Sequence, residues 1–155
     1  MEKITLKLKD VLQLESEING FTNPETGEKH YEGFVNQNLS IVLKYDLNET
    51  TKFLENERKK VNELRDELVK KHGEDIGEGR IFVNMYLDEK NEEGEVVSRR
   101  LNPKYLEFDK EYAQLLDKEI EVEYPEITKE DLKNAGKSKD NYFVLFRLIK
   151  NKEVK

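Results

Sequence analysis

The sequence predicts an α+β fold, a long central helix packed with a small antiparallel sheet and short flanking helices. Three observations carry it. Residues 35–72 contain neither glycine nor proline, and Leu47, Leu54, Val61 and Leu68 recur through them every seven residues. "KITLKLK", "RIFVNMYL" and "KEIEVEYPEI" alternate apolar with polar residues, the period of a half-buried strand. Shorter apolar stretches open on helix-capping residues and close on glycine. At 155 residues the chain suits one domain spanning 1–155. Charged residues at 39% outnumber apolar ones at 35%, which favours a thin core and much solvated surface over a deep enzyme cleft.

In chain order, Ile4, Leu6 and Leu8 make the first alternating strand, and Asp10 caps a helix with Val11, Leu14 and Ile18 on one face and Gly20 as its stop. "FTNPETGEKHYEG" concentrates turn formers and reads as an exposed turn or hairpin. The long helix follows over 39–72, with Leu43 and Leu64 on rows beside the heptad. Its companion seam position is polar at Thr50 and Glu57, which argues for packing along its own domain rather than for a coiled coil. Gly73 serves as a left-handed terminator.

"RIFVNMYL" is the clearest strand, "DEKNEEG" turns it, and "EVVSRRL" returns as its antiparallel partner. Asn102 before Pro103 opens another helix, and "KEIEVEYPEI" is a further strand that joins the hairpin of residues 80–101 in one sheet. Thr128 with Asp131 forms a capping box for a compact helix. "NYFVLFRLIK" carries β-branched and aromatic residues suited to a strand, but the spacing of Tyr142, Leu145, Phe146 and Ile149 leans to a helix. The expected core is Leu47, Leu54, Val61, Leu64, Leu68, Val83, Met85, Leu115, Val122 and Phe146.

Chemistry is scarce. There is no cysteine, which removes disulfides, thiolate ligands and thiol nucleophiles. His30 and His72 are the only histidines, and His72 reads as a partner for the helix C-terminal dipole. Glu119, Glu121 and Glu123 share a strand face that reads as solvated rather than as a metal site. "DEKNEEGEVV" fails as a calcium loop because Lys90 and Glu93 occupy a ligand position and the glycine position. No phosphate loop or nucleophile elbow is present, so the expectation is a non-enzyme without cofactor or metal. A net charge of -7 disfavours nucleic acid and anionic membrane, and no apolar run is long enough to span a bilayer.

"LKLKDVLQLESEING", "EGFVNQNLSIVLKYDL", "LRDELVKKHGE" and "EIEVEYPEITKEDL" together resemble a family of small tailed-bacteriophage proteins with a long central helix, a hairpin and no settled activity. The anchors are Glu17 to Gly20, Gly33, Lys44 with Tyr45, and Leu68 to Gly73. The resemblance implies a phage origin and synthesis in the host bacterial cytoplasm, and it transfers no functional residues. The expected function is that of an accessory protein that binds a host or phage protein, with inhibition of a host defence or nucleic-acid enzyme preferred over a virion or assembly role. Self-association is left open. The expected contact surface joins the polar side of the long helix, at Glu55, Lys59 and Arg65, to the hairpin at Asp88, Lys90, Glu92, Arg99 and Arg100.

Overall fold

The computed structural model describes residues 1–153. In chain order the elements are β1 (Glu2–Lys7), α1 (Leu8–Asn19), β2 (Gly20–Thr22), β3 (Lys29–Glu32), α2 (Ile41–His72), β4 (Glu74–Gly77), β5 (Arg80–Phe82), β6 (Tyr86–Lys90), β7 (Val96–Leu101), α3 (Pro103–Leu116), β8 (Glu119–Tyr124), α4 (Lys129–Lys133) and α5 (Val144–Glu153). The class is α+β, with the long helix at α2, small antiparallel sheets and shorter helices. The chain divides into two compact units, one made of Met1–Lys59 with the segment from Lys118 onward, the other of Lys60–Asp117.

The first unit holds the core. β1 and β8 pair antiparallel with Ile4 opposite Val122 and Leu6 opposite Ile120. Their outer face sets Lys3 opposite Glu123, Thr5 opposite Glu121 and Lys7 opposite Glu119, so the three glutamates of β8 face polar partners across the ladder. α1 starts at Leu8, earlier than a cap at Asp10 would place it. Asp10 instead lies in the first turn and pairs with Arg147 of α5 at 2.9 Å. Leu8, Val11, Leu14 and Ile18 are buried along one side of α1, as a 3.6-residue period requires. α2 turns Leu43, Leu47, Thr50 and Leu54 inward, and the Thr50 hydroxyl donates to the Glu123 carbonyl at 3.0 Å. The polar seam position is thus satisfied by the edge of the unit's own sheet. Arg58 fastens α2 to α1, donating to Glu15 (2.6 Å), the Leu12 carbonyl (2.7 Å) and Ser16 (2.9 Å).

Two glycines of this unit meet backbone to backbone. Gly20 ends α1 at φ +88, and a methyl on Gly33 would overlap the Ile18 carbonyl oxygen and the Gly20 nitrogen. The β2–β3 hairpin is seated on α1 through that contact. Phe34, just beyond it, packs edge to face on Tyr142. Tyr142 donates to the Glu32 carbonyl at 2.7 Å, and burial pushes its phenol up to about 12. The last apolar block is the helix α5, with Leu145, Leu148 and Ile149 buried.

The second unit departs from expectation. "RIFVNMYL" is not one strand: Arg80–Phe82 pairs back on Glu74–Gly77, while Tyr86–Lys90 pairs with Val96–Leu101. Asn102 fixes the break, its main chain donating to the Met85 carbonyl and its side chain to that of Asn84, both at 2.9 Å. The same side chain accepts from Lys104, the N-cap of α3 that Asn102–Pro103 foretells. The expected union of residues 80–101 with 118–124 in one sheet does not occur, because β8 pairs with β1. Gly73 is not left-handed; glycine is required there because a side chain would strike Val69, Ile81 and Phe82. Among the expected core residues, Leu47, Leu54, Val61 and Val122 are buried, Leu68, Val83 and Leu115 are half-buried, and Leu64, Met85 and Phe146 are exposed.

Candidate protein-binding surface

α2 begins at a capped end, where Ser40 Oγ accepts the Leu43 amide (3.1 Å) and the Ser40 carbonyl that of Lys44 (3.0 Å). Because Leu43, Leu47 and Leu54 point into the first unit, helical geometry sends Ile41, Tyr45, Lys52 and Lys59 to the opposite side. Ile41 is 83% exposed, Val42 66% and Tyr45 78%. Three large apolar groups thus stand in solvent on a helix whose other side is packed at Leu43, Leu47 and Leu54. Glu49 is exposed one turn beyond Tyr45, and Glu55 and Lys59 are exposed several turns farther along the helix. Glu55 also accepts from Asn19 of α1 at 3.2 Å, which orients its carboxylate.

The eight residues chosen from sequence divide between the units. Glu55 and Lys59 belong to the first and lie one helical turn apart. Arg65 and the hairpin residues belong to the second, and all are exposed. Across β6 and β7, Asp88 pairs with Arg99 at 2.9 Å and Glu89 approaches Arg100 at 3.9 Å, so both arginines act first as rungs of their own ribbon. At the tip, Asn91 accepts from the amides of Glu93 and Glu95, leaving Lys90 and Glu92 projecting from an ordered turn. Sequence reasoning passed over Ile41 and Val42. Their signal is legible: apolar residues off the row of Leu43, Leu47 and Leu54 cannot face the same core.

Two charged clusters complete the inventory. Lys3 lies 3.5 Å from Glu121 and 3.4 Å from Glu123, and those carboxylates raise its pKa. His72 is buried in the last turn of α2, with Nε2 2.6 Å from Glu111 and Nδ1 3.7 Å from Glu107. It therefore does more than answer the helix dipole, since it ties α2 to α3. Lys71, at 2.8 Å, and His72 together hold the Glu111 carboxyl below its ordinary range. Among the described residues no group of three or more His, Asp or Glu side chains is placed to hold a metal ion, and no helix is long and apolar enough to cross a membrane. No protein-family model, curated protein or solved structure matches the chain.

Proposed function

We propose that the chain is a non-enzymatic accessory protein of a tailed bacteriophage, acting in the host cytoplasm by binding another protein. The preferred target is a host defence or nucleic-acid enzyme. The observation that carries the reading is the joint exposure of Ile41, Val42 and Tyr45 on the first turns of α2, whose Leu43 and Leu47 are buried. Apolar groups in water gain nothing for the fold, and a tyrosine with aliphatic neighbours beside charged residues has the anatomy of an interface hot spot. Glu49, one turn beyond Tyr45, and Lys52 on the same side of the helix supply charge at one end of the patch, with Glu55 and Lys59 farther along. Lys90 and Glu92 at the hairpin tip form the second recognition element of the reading. The phage assignment rests on the resemblance in residues 6–20, 32–47, 64–74 and 119–132.

The test compares the wild-type protein with Ile41→Glu/Tyr45→Glu as baits in infected cells, alongside mass spectrometry of purified particles. A host protein retained by the wild type and lost by the double variant is the expected result. Stoichiometric recovery from particles, with no host protein retained, replaces this reading with the virion or assembly role.

A further inference from the structure

Asn19 and Gly20 form the one Asn–Gly step in the sequence. An asparagine before glycine is chemically labile, because no side chain on the next residue hinders the main-chain nitrogen from reaching the asparagine Cγ. The Gly20 nitrogen loses its proton and bonds to Asn19 Cγ, the Cγ–Nδ2 bond breaks, and Nδ2 leaves with a proton as ammonia. Water then opens the cyclic imide at either carbonyl, to aspartate or to an isoaspartate whose main chain runs through the former side chain. One water enters, one ammonia leaves, and nothing is oxidised or reduced.

We infer that Asn19–Gly20 is a latent deamidation site, which the folded first unit holds closed and which reacts when the β2–β3 hairpin and the end of α1 come apart. Three restraints hold it. Asn19 is the last residue of α1, and the Gly20 amide donates to the Ser16 carbonyl, a bond that aims it back along the helix and away from the Asn19 side chain. The leaving group is tethered as well: Nδ2 donates to Glu15 Oε1 at 3.1 Å and to Glu55 Oε1 at 3.2 Å, one carboxylate from α1 itself and one from α2. Both carboxylates also disfavour the anionic nitrogen that must attack. On the remaining side stands the hairpin. Gly20 pairs with Glu32, and a methyl on Gly20 would lie 2.8 Å from the Gly33 nitrogen and 3.0 Å from the Tyr31 carbonyl oxygen, so the main chain has no room to turn toward the side chain.

Refolding does not reverse the reaction. Isoaspartate adds a methylene to the main chain at the point where Gly33 meets the Ile18 carbonyl and the Gly20 nitrogen, so the hairpin loses its seat on α1. Aspartate keeps the chain length but exchanges the two donors for a third carboxylate beside Glu15 and Glu55, and like charges in one site repel. Local opening of this one junction is therefore a one-way exit from the folded state that bypasses global unfolding. The site shares no residue with the patch of Ile41, Val42 and Tyr45.

Peptide mass spectrometry of the full chain, incubated at neutral pH with and without guanidinium chloride, tests the inference. Conversion at Asn19 is expected to be at least about tenfold slower in the native protein than in the denatured chain. Gly33→Ala, which pushes the hairpin off α1, is expected to convert faster than wild type in native buffer, and Asn19→Asp to melt below wild type. Equal rates for native and denatured wild-type protein overturn the inference, and so does a denatured chain in which Asn19 stays intact. A folded Gly33→Ala protein that converts no faster than wild type also overturns it, because the hairpin is then no part of the lock. Melting of Asn19→Asp together with wild type overturns the one-way exit by the aspartate route. The wild-type comparison stands whether or not Gly33→Ala folds.

Discussion

Glu17 and Phe143 meet across the core of the first unit: the Glu17 carboxylate, fully buried on α1, accepts the Phe143 backbone amide at 2.7 Å. The same carboxylate accepts from Val144 at 3.2 Å and from Leu145 at 3.1 Å. These amides open α5 and have no partner within the helix, so a side chain from a distant element supplies the cap. Its negative charge also sits at the positive end of the α5 dipole.

Removing that acceptor should loosen α5. Glu17→Ala leaves three donors without a partner, those of Val144 and Leu145 buried, and should cost on the order of 3 kcal/mol, whereas Glu17→Gln keeps one oxygen and should cost about 1–2 kcal/mol. Urea unfolding checks both values. Equal and negligible losses would show that water replaces the carboxylate without penalty.

The same group sets a pH dependence. Desolvation raises the Glu17 carboxyl above its ordinary 4.5, and the amides of Leu145, Val144 and Phe143 only partly oppose it. The folded state therefore holds this proton more tightly than the unfolded chain. Its contribution favours folding below pH 4.5 and is lost as pH rises through the raised folded value. Glu111 has the opposite sign, because Lys71 and His72 depress it; its contribution is present above 4.5 and lost as pH falls through the depressed value. Urea midpoints measured against pH should flatten above 4.5 in Glu17→Gln and below 4.5 in Glu111→Gln.

The Gly20–Gly33 contact predicts a contrast between two glycines. Asparagine tolerates left-handed backbone, so Gly27→Asn, at φ +72 in open space, should stay within about 0.5 kcal/mol of wild type. Gly33→Asn forces a side chain into the α1 terminus and should cost about 3 kcal/mol. Melting of the two variants side by side checks the contrast, and similar values would mean that the hairpin shifts away from α1 at little cost.

What the sequence made legible was local. The buried face of α1, the Thr128–Asp131 capping box and the Asn102–Pro103 helix start are each written within a few residues. The alternation of Ile120, Val122 and Tyr124 marks a strand but not its partner, which is the distant β1. Likewise nothing near Asn84 announces that Asn102 interrupts the strand there. Glu17 was unreadable as a cap because its amides lie more than a hundred residues further along the chain. α5 shows the limit of periodicity. Leu145 and Ile149 are buried as their spacing implies, while Phe146, next to Leu145, falls on the rim.

Thr50 supplies the last prediction, because it decides between two uses of one heptad. In a coiled coil, a threonine at a seam position weakens the seam, and Thr50→Val or Thr50→Leu would stabilise it. In this fold the hydroxyl, 1% exposed, donates to the Glu123 carbonyl on β8, whose single ladder to β1 leaves its other edge unpaired. Thr50→Val keeps the shape but removes the donor, and should cost about 1 kcal/mol. Thr50→Leu adds volume against the strand and should cost about 1–3 kcal/mol. Urea unfolding of the two variants settles the sign: destabilisation by both places α2 against β8, whereas stabilisation by either would mean that this row of the helix meets another helix instead.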